Sequence, residues 1–467
     1  MLALFLLFSV SAAAESVEVV RDAYGTPHVF AATAAGAAFG AGYAQAEDRP
    51  EALIRNLTAS DPEDPAGLSR EVRAIVDAYV AGVNRRFDEP RVTAGQVAGF
   101  ARRAYTWIHG SNDLMLSPTR TASRSVIAVL DPIADWNASD RPYEMSLYAS
   151  EGDLSIAGVA PPGMPFPVVG HSQYIAIGWS GDRALAGPRS IEEAWALVSA
   201  RDIQQLRQAL AMDQIPGRPL CGTSTELCEP AGPQGYLRQT SPSPGGDAVA
   251  GEMLRVQGTW SFGRVEGLAF ATEVYKAETW QRFLSRVVPE SRFARILTGW
   301  NRRADADSRA ALAFYLFKMG LAQDASLVEP PDSLSRARVL AALTRAQDRL
   351  ETELDFNATY GSEFRITREG SRASFPAAGG NLPEAGIATP RTLSFKDNRA
   401  EAGQAATRVV ELSGNPVATS ILLPGVADDA ASPHFEDQSE LTKPKSTYFR
   451  NRRELERVAS SRTTLTF

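Results

Sequence analysis

The stretch His109-Gly110-Ser111-Asn112-Asp113-Leu114 is the part of the chain around which the rest is organised. A serine directly after a glycine can become a new N-terminus if the Gly110–Ser111 bond is cut. Its free α-amine, with a pKa of about 7.7–8.0, can then accept the proton of its own hydroxyl, directly or through one water. Gly-Ser-Asn is also an ordinary turn sequence, because Gly tolerates positive φ and Ser and Asn bond locally to the backbone. The triplet alone therefore leaves a turn and an N-terminal nucleophile open.

The bulk composition is that of a folded globular protein. The chain has 467 residues, of which 44% are hydrophobic and 22% are charged, and these fractions are ordinary for such proteins. Its 48 Lys and Arg and 55 Asp and Glu give a net charge of -7. No run of basic residues is long enough to follow a phosphate backbone, so we expect no nucleic-acid partner. No stretch after the N-terminus reaches the roughly 18 apolar residues that a membrane span needs.

The first 14 residues have the pattern of a secretory signal peptide. Residues 1–10 are a short apolar run, and residues 11–14 supply the small side chains of a cleavage site. A buried N-terminal strand is the alternative interpretation. Export implies a periplasmic or secreted protein in an oxidising compartment. There the two cysteines, Cys221 and Cys228, are expected to form a loop-closing disulfide, with two free thiols as the alternative.

Several segments have clear periodic patterns. Apolar residues recur at i, i+3, i+4 and i+7 from about Ser69 to Phe87, which predicts a helix with one buried face. Ser125–Leu130 is a nearly continuous apolar run that stops at Asp131-Pro132, as a buried strand does. Ser190 and Glu193 form a capping-box pattern that predicts the start of another helix.

The remaining segments fix the fold class only coarsely. Residues 88–110 contain Pro90, Gly95 and Gly99 without clean periodicity, which is typical of a linker or a removable spacer. Helical patterns dominate the middle of the chain, and short β-like runs return from about Ser362. This order favours one mixed α/β or α+β chain over a row of separate domains.

Ordered sequence blocks carry a resemblance to a known family. Residues 17–29, VEVVRDAYGTPHV, and residues 39–49, FGAGYAQAEDR, closely resemble the start of the α chain in the penicillin acylase family of N-terminal-nucleophile hydrolases. Residues 77–84 are similar to a later α-chain helix of that family. Gly110-Ser111-Asn112 falls where the family processes its precursor. Downstream blocks agree in order and lie at residues 162–165, 170–176, 423–425 and 432–438.

The resemblance implies an α+β chain with an αββα sandwich of the N-terminal-nucleophile hydrolase type and a helical middle region. It implies a precursor that cuts itself before Ser111, two fragments that stay associated, and hydrolysis of an N-acyl amide bond through an acyl-enzyme. Residues 1–14 are then a signal peptide, 15–90 an α-chain-like segment, 91–110 a possible spacer and 111–467 a β-chain-like segment.

The resemblance also assigns two further site residues. Gly181 aligns with the backbone donor to the negative oxygen that develops on the substrate carbonyl, although a plain strand-end glycine is the alternative. Arg264 aligns with a supporting arginine, although it could simply pair with an acid. The family's side-chain donor is an asparagine, and none occurs from Leu237 to Arg264. A backbone amide or a glutamine such as Gln257 could replace it.

Three more positions depart from the family pattern. Ile133, after Asp131-Pro132, stands where relatives place His or Gln near the nucleophile amine, and its side chain can neither donate nor accept a hydrogen bond. Ser172 replaces the asparagine that usually follows Gly170-His171. The acidic cluster that binds calcium in some members has no match beyond Asp182. We therefore expect no metal and no cofactor.

Three functions remain open at this point. The first is an exported, self-processing acylase acting on a small acylated amine, with β-lactam side chains, acyl-homoserine lactones and other acylated amines as candidates. The second is a non-catalytic relative whose surface is used for binding. The third is a self-processing hydrolase of a lactone or ester. Retention of Gly110-Ser111-Asn112 favours an enzyme, because a binding protein needs no cleavable nucleophile, whereas the missing asparagine favours the non-catalytic relative.

Overall fold

The computed structural model has mixed α+β architecture, with three sheets and numerous helices. It describes residues 14–181, 184–217, 219–239, 244–255, 258–355, 357–441, 444–446 and 452–467. The predicted signal peptide lies outside these residues except for Ala14. Within the described ranges, no helix combines the length and apolar character needed to cross a lipid bilayer.

Three sheets hold the strands. In chain order the strands are β1 Ser16–Asp22, β2 Pro27–Ala31, β3 Gly110–Ser111, β4 Leu114–Leu116, β5 Ile127–Leu130, β6 Pro132–Asp135, β7 Tyr143–Ala149, β8 Leu154–Ala160, β9 Val169–Ser172, β10 Ile175–Trp179, β11 Pro219–Thr223, β12 Tyr236–Arg238, β13 Arg365–Ile366, β14 Phe375–Pro376, β15 Leu393–Lys396, β16 Arg399–Gln404, β17 Ala406–Glu411, β18 Val417–Leu422, β19 Lys445–Ser446 and β20 Ala459–Thr466. The eight-stranded sheet has the order β11-β10-β9-β8-β7-β2-β1-β20. The β17 sheet has the order β12-β4-β5-β17-β18-β19, and the β16 sheet has the order β14-β13-β16-β6-β3, with β15 also paired to β16.

Helices precede β3 and fill the middle of the chain. In chain order they are α1 Ala34–Asp48, α2 Pro50–Thr58, α3 Arg70–Asn84, α4 Ala94–Ala101, α5 Ser190–Val198, α6 Ile203–Leu210, α7 Pro244–Arg255, α8 Phe262–Ala269, α9 Ala277–Val287, α10 Arg292–Thr298, α11 Arg309–Gly320, α12 Arg336–Asp348, α13 Tyr360–Glu363 and α14 Arg452–Glu456. Helix α3 matches the predicted helix, with Ser69 as its N-cap accepting a hydrogen bond from the Val72 N–H. It buries the predicted apolar stripe, which includes Val72, Ile75, Val76, Tyr79 and Val83.

Glycines allow α1 and α3 to pack backbone against backbone. A Cβ on Gly42 would clash with the Tyr79 carbonyl oxygen, and a Cβ on Gly82 would clash with the Phe39 carbonyl oxygen. Small residues at a helix contact permit this close approach, because any side chain would force the two backbones apart. The alanine- and glycine-rich sequence of α1 is thus explained by its contact with α3.

Three neighbouring segments of the chain pass between the β16 sheet and the β17 sheet at adjacent points. The chain passes from β3 in the β16 sheet to β4 in the β17 sheet through Asn112 and Asp113. It returns from β5 to β6 through Asp131, and it crosses from β16 to β17 at Ala405. The Asn112 N–H donates to the Asp131 carbonyl oxygen at 3.0 Å. This crossing point brings polar residues from distant parts of the sequence together beside Ser111.

A buried ionic cluster joins the eight-stranded sheet to the β17 sheet. We call Asp22, Glu144, Arg408 and Lys445 the inter-sheet network; all four are buried. Glu144 Oε1 lies 2.7 Å from Arg408 Nη2, and Glu144 Oε2 lies 3.0 Å from Lys445 Nζ. Lys445 Nζ also lies 3.6 Å from Asp22 Oδ2. Two acids and two bases therefore balance one another between the sheets.

The predicted spacer, residues 91–110, is an ordered part of the structure. It contains α4, which begins with a capping box formed by Thr93 and Gln96. Sequence periodicity did not reveal this short helix, but the Thr-x-x-Gln spacing is itself a helix-start signal. The segment also buries Trp107 and Ile108 in the main core. Whether it is later removed stays a prediction.

The two cysteines lie close together in the structure. Cys221, on β11, and Cys228 are joined by a disulfide, with their Cα atoms 5.4 Å apart. The Cys228 N–H also donates to the Cys221 carbonyl oxygen at 2.8 Å. The disulfide therefore closes a short turn at the edge of the eight-stranded sheet.

Candidate active site

Ser111 is buried on β3 and makes a hydrogen bond to a residue far away in sequence. Its Oγ donates to Gln239 Oε1 at 2.7 Å. Gln239 follows β12, and pairing of β12 with β4 aligns Arg238 with Leu114. The Gln239 N–H donates to the Asp113 carbonyl oxygen at 3.0 Å, which fixes its position. Pairing of β4 with β12 thus brings the Gln239 side-chain amide into hydrogen-bond contact with the predicted nucleophile.

Gln239 is the site residue that sequence reasoning missed. It lies inside the range, from Leu237 to Arg264, in which no asparagine was found, and glutamine carries the same carboxamide group on a longer side chain. A search of that range for either amide would have identified it. The predicted substitute, Gln257, lies outside the described residues.

Asn112 and Asp131 extend the polar group around Ser111. Asn112 Nδ2 donates to Asp131 Oδ2 at 2.7 Å, and the same carboxylate accepts bonds from Gln404 Nε2 at 2.5 Å and Thr407 Oγ1 at 2.6 Å. Burial raises the pKa of Asp131, although these hydrogen bonds oppose the shift. The carboxylate fixes Asn112, the residue next to Ser111, to strands of two sheets.

Asp113 places a second buried acid close to Ser111. Its side chain is fully buried, and its Oδ1 accepts the Asp131 N–H at 2.6 Å. Burial raises the pKa of Asp113 to about 8, and the Asp131 charge adds to the increase. The hydrogen bond from the Asp131 N–H acts in the opposite direction, as do the Ser111 hydroxyl and the Trp179 N–H. Asp113 is therefore largely protonated at neutral pH.

Gly181 lies beside the chain that leads to Ser111. It follows β10, and a Cβ at this position would overlap the carbonyl oxygen of Ile108, three residues before Ser111. A residue with a side chain would displace either β10 or the segment that enters β3. The structure thus brings Gly181 close to the predicted cleavage segment, while its role as an oxyanion donor stays a prediction.

Ile133 also lies at the predicted cleavage point. It pairs with Gly110 across β3 and β6, and its carbonyl oxygen accepts the His109 N–H at 2.8 Å. The side chain itself offers no hydrogen-bonding group. Ile133, which the resemblance places near the nucleophile, therefore lies close to Gly110. Its side chain supplies no polar contact there.

Arg264 lies on α8 with an exposed side chain. Its guanidinium carbon is 4.0 Å from the centroid of the Trp260 ring, so it makes a cation–π contact of the usual kind. Trp260 is buried in a small apolar cluster that also contains Leu114, the residue after Asp113. This stacking gives Arg264 a structural use, and its supporting role at the active site stays a prediction.

A cleft opens beside Asn112 and Asp131. Most of its wall is apolar and is formed by Leu114, Val129, Ala250, Leu254, Leu268 and Ala269. Arg238 and Asp247 contribute an ion pair to the lining, and Arg238 Nη1 also donates to the Asp247 carbonyl oxygen at 2.8 Å. The cleft therefore offers an apolar surface with one polar pair next to the residues around Ser111.

Two further observations concern possible metal ligands and one buried histidine. These ranges contain no cluster of His, Cys, Asp or Glu that could hold a metal ion, and Asp182 lies outside them. His171 is buried, and its pKa is lowered to about 3 by burial first and then by Arg408. It is therefore neutral at pH 7, as expected of a structural histidine between the sheets.

One comparison with known proteins supports the sequence resemblance. The profile of the penicillin amidase family matches residues 16–53, 91–184 and 247–453, which together cover most of the chain. No curated protein matches this chain. Among solved structures, a thermostable penicillin G acylase from Alcaligenes faecalis is similar over 75% of this chain and 98% of its own, with 12% identity and a TM-score of 0.48. The extent of the profile match shows that this chain belongs to the penicillin amidase family.

Proposed function

We propose that this protein is a self-processing acylase that hydrolyses a linear N-acyl amide bond through Ser111. Membership of the penicillin amidase family supports amide hydrolysis as the reaction class. The observation that carries the residue assignment is the 2.7 Å hydrogen bond from Ser111 Oγ to Gln239 in a buried polar site. The serine lies at the position that the family resemblance assigns to the processed nucleophile.

Self-cleavage must precede amide hydrolysis in this proposal. In the uncut chain the Ser111 nitrogen belongs to the Gly110–Ser111 peptide bond and cannot act as a base. After cleavage its α-amine accepts the hydroxyl proton as Oγ attacks the substrate carbonyl, and returns it to the leaving amine. Water then hydrolyses the acyl-enzyme and regenerates the free serine.

The negative oxygen of the tetrahedral intermediate needs fixed donors. Gln239 is already hydrogen-bonded to Ser111, since its side-chain oxygen accepts a hydrogen bond from the serine hydroxyl. The same amide carries two N–H groups. We assign this amide as the side-chain donor, in place of the family's asparagine, together with the Gly181 N–H. Removing one such donor in other enzymes lowers kcat by about 10²–10³.

The apolar lining of the cavity beside Asn112, whose volume is about 30 Å³, supports a small apolar acyl group as the substrate part that binds there. The amine of the substrate stays open among β-lactam nuclei, homoserine lactones and other amines. The αββα sandwich, a periplasmic or secreted location, and excision of residues 91–110 are also part of the proposal. The disulfide between Cys221 and Cys228 is consistent with an oxidising compartment.

Sheet pairing supports continued association of the two fragments after cleavage. Strands β1 and β2 precede the cut, and they pair with β20 and β7, which follow it. Separation of the fragments would break both pairings and expose the core between them. We therefore expect the cleaved protein to remain one particle in solution.

Intact mass and N-terminal sequencing of the purified protein test the proposal, with Ser111→Ala as the control. We expect two chains, the larger beginning Ser-Asn-Asp-Leu, and one uncut chain for the variant. The cleaved protein should then release amine from chromogenic N-acyl anilides of varied acyl length. One uncut chain in both preparations, or cleavage without hydrolysis of any amide, would overturn the proposal.

Gln239→Ala tests the side-chain donor, with Gln173→Ala as a matched control. Gln173 lies at the surface and donates to Asp153, so its loss should leave the rate unchanged. We expect Gln239→Ala to lower kcat for amide hydrolysis by about 10²-fold or more with a smaller change in KM. Equal rates for the two variants would remove Gln239 from the proposed site.

A further inference from the structure

Asp113 is a buried titratable group near the predicted cleavage bond that the proposed hydrolysis does not use. It is two residues after Ser111, and its carboxyl is fully enclosed. Its Oδ1 accepts the Asp131 N–H. Its Oδ2 lies against Gly178, where any Cβ would clash with it, and no described residue meets it at full hydrogen-bond geometry. The Ser111 hydroxyl and the Trp179 N–H nevertheless lie close enough to act on the carboxyl.

The groups that face this carboxyl come from four elements. Ser111 contributes its hydroxyl from β3, and Asp131 contributes a second carboxylate from the turn between β5 and β6. Strand β10 presents the backbone of Gly178 and Trp179. Gln239, after β12, binds the Asp113 main chain and the Ser111 hydroxyl. Among the described residues, Asp131 is the charged group that acts directly on Asp113, and Arg391 acts in turn on Asp131.

Ser111 has a single hydroxyl hydrogen, which it now donates to Gln239. The hydroxyl also lies near enough to the Asp113 carboxyl to influence its titration. A protonated Asp113 leaves that hydrogen on Gln239. An ionised Asp113 attracts it, because hydrogen bonds to a charged acceptor are about twice as strong as neutral ones. Rotation of the Ser111 hydroxyl thus couples its choice of hydrogen-bond acceptor to the protonation state of Asp113.

We propose that Asp113 is the general base for self-cleavage of the Gly110–Ser111 bond, an inference that rests on the proposed function. The Asp113 carboxylate removes the Ser111 hydroxyl proton as Oγ bonds to the Gly110 carbonyl carbon. The proton passes to the Ser111 nitrogen as the C–N bond breaks, which leaves an ester and a free amine. One water then hydrolyses the ester to a Gly110 carboxylate and the Ser111 hydroxyl.

The pKa of Asp113, which burial and Asp131 raise to about 8, makes the carboxylate a stronger base than an ordinary aspartate. It also makes cleavage dependent on pH. Below the pKa the carboxyl is protonated and cannot accept the proton, and above it the base is available. Cleavage is therefore slow in acid and rises as the pH passes about 8.

The test follows cleavage of the full-length chain from pH 5.5 to 9.5 by intact mass, after purification of uncut protein at the acidic end. Asp113→Asn keeps the size and one acceptor oxygen of the side chain but removes the base. Glu193→Gln is the matched control, because Glu193 is also a buried acid with a raised pKa that accepts backbone N–H groups. Asp131→Asn is the second variant, since it removes the charge that raises the pKa of Asp113.

We expect Asp113→Asn to cleave about 10²–10⁴-fold more slowly than the parent and without the rise near pH 8. Glu193→Gln should follow the parent, and Asp131→Asn should move the rise to lower pH. The inference is overturned if Asp113→Asn keeps the parent rate and profile, or if Asp113→Asn is slow but Asp131→Asn leaves the midpoint unchanged. Cleavage of Ser111→Ala, or no cleavage of the parent at any pH, would instead overturn the proposed function.

Discussion

Two groups of buried acids in this molecule have opposite pKa shifts. In the inter-sheet network, burial acts to raise the pKa of Glu144, but Lys445 and Arg408 outweigh it and lower the pKa. At the active site, burial raises the pKa of Asp113, and its acidic neighbour Asp131 raises it further. Desolvation is the largest influence in both groups. The difference lies in the neighbours, because Glu144 has two cations within 3.0 Å, whereas the charge that acts on Asp113 among the described residues is that of an acid.

The comparison separates a structural use of charge from a chemical one. Paired charges between two sheets fix their relative position and hold one protonation state across a wide pH range. A buried acid whose pKa is raised to near neutrality can exchange a proton during a reaction. The same molecule therefore contains buried carboxyl groups of both kinds, and each kind makes different predictions.

The largest effect is expected where the balance of the network is broken. Glu144→Ala leaves Arg408 and Lys445 buried without their main acid, and such losses cost about 3–5 kcal/mol of unfolding free energy. Urea unfolding of the uncut Ser111→Ala chain, followed by tryptophan fluorescence, measures the loss. A decrease below about 1 kcal/mol would mean that the network contributes little to stability.

Removing the active-site acid Asp113 should instead increase the unfolding free energy. The folded chain keeps the Asp113 proton up to about pH 8, whereas the unfolded chain loses it near pH 4. The unfolded state thus binds fewer protons in this range, so the contribution of Asp113 to stability falls as the pH rises from 4 to 8. Asp113→Asn in the Ser111→Ala chain should therefore be more stable than its parent at pH 8 by a few kcal/mol.

The same unfolding experiment at pH 4 provides the control for Asp113→Asn. There the folded parent holds the proton and the unfolded parent is about half protonated. The variant should therefore match the parent to within about 0.5 kcal/mol. A variant that is less stable than its parent at pH 8 would show that the carboxylate is favourable in the folded protein, contrary to the stated pKa.

A smaller change should follow from altering the neighbour. Asp131→Asn removes a negative charge beside Asp113, so the pKa of Asp113 should fall. The pH range over which the chain loses stability should then end at a lower pH. Unfolding free energies measured every half pH unit from 5 to 9 would detect this shift, and an unchanged upper limit would show that Asp131 does not set the pKa.

The smallest effect is expected for an exposed ion pair. Arg207 and Glu226 lie 2.7 Å apart, but about half of each side chain is exposed. Glu226→Gln should change the unfolding free energy by less than about 1 kcal/mol, because water screens such pairs. The comparison with Glu144→Ala shows how much burial adds to an ion pair. A loss as large as that of Glu144→Ala would contradict this reasoning.

Local patterns predicted those elements whose structure depends on one buried face. Helix α3 and strand β5 lie where their apolar residues indicated, because burial of that face is set by residues close in sequence. The predicted capping box at Ser190 failed in its detail. Helix α5 begins there, but Glu193 accepts the N–H groups of Gln214 and Ile215 instead. A tertiary contact replaced the local one.

The sequence by itself determined the family and the candidate nucleophile, since ordered blocks and the Gly110-Ser111 junction are properties of residue order. Only the tertiary structure decided what surrounds Ser111. Gln239 reaches it from 128 residues away through the pairing of β4 with β12. Asp113 is visible in the sequence beside Ser111, but its raised pKa depends on enclosure and on Asp131. Burial and long-range neighbours set these properties, and neither is encoded in the spacing of nearby residues.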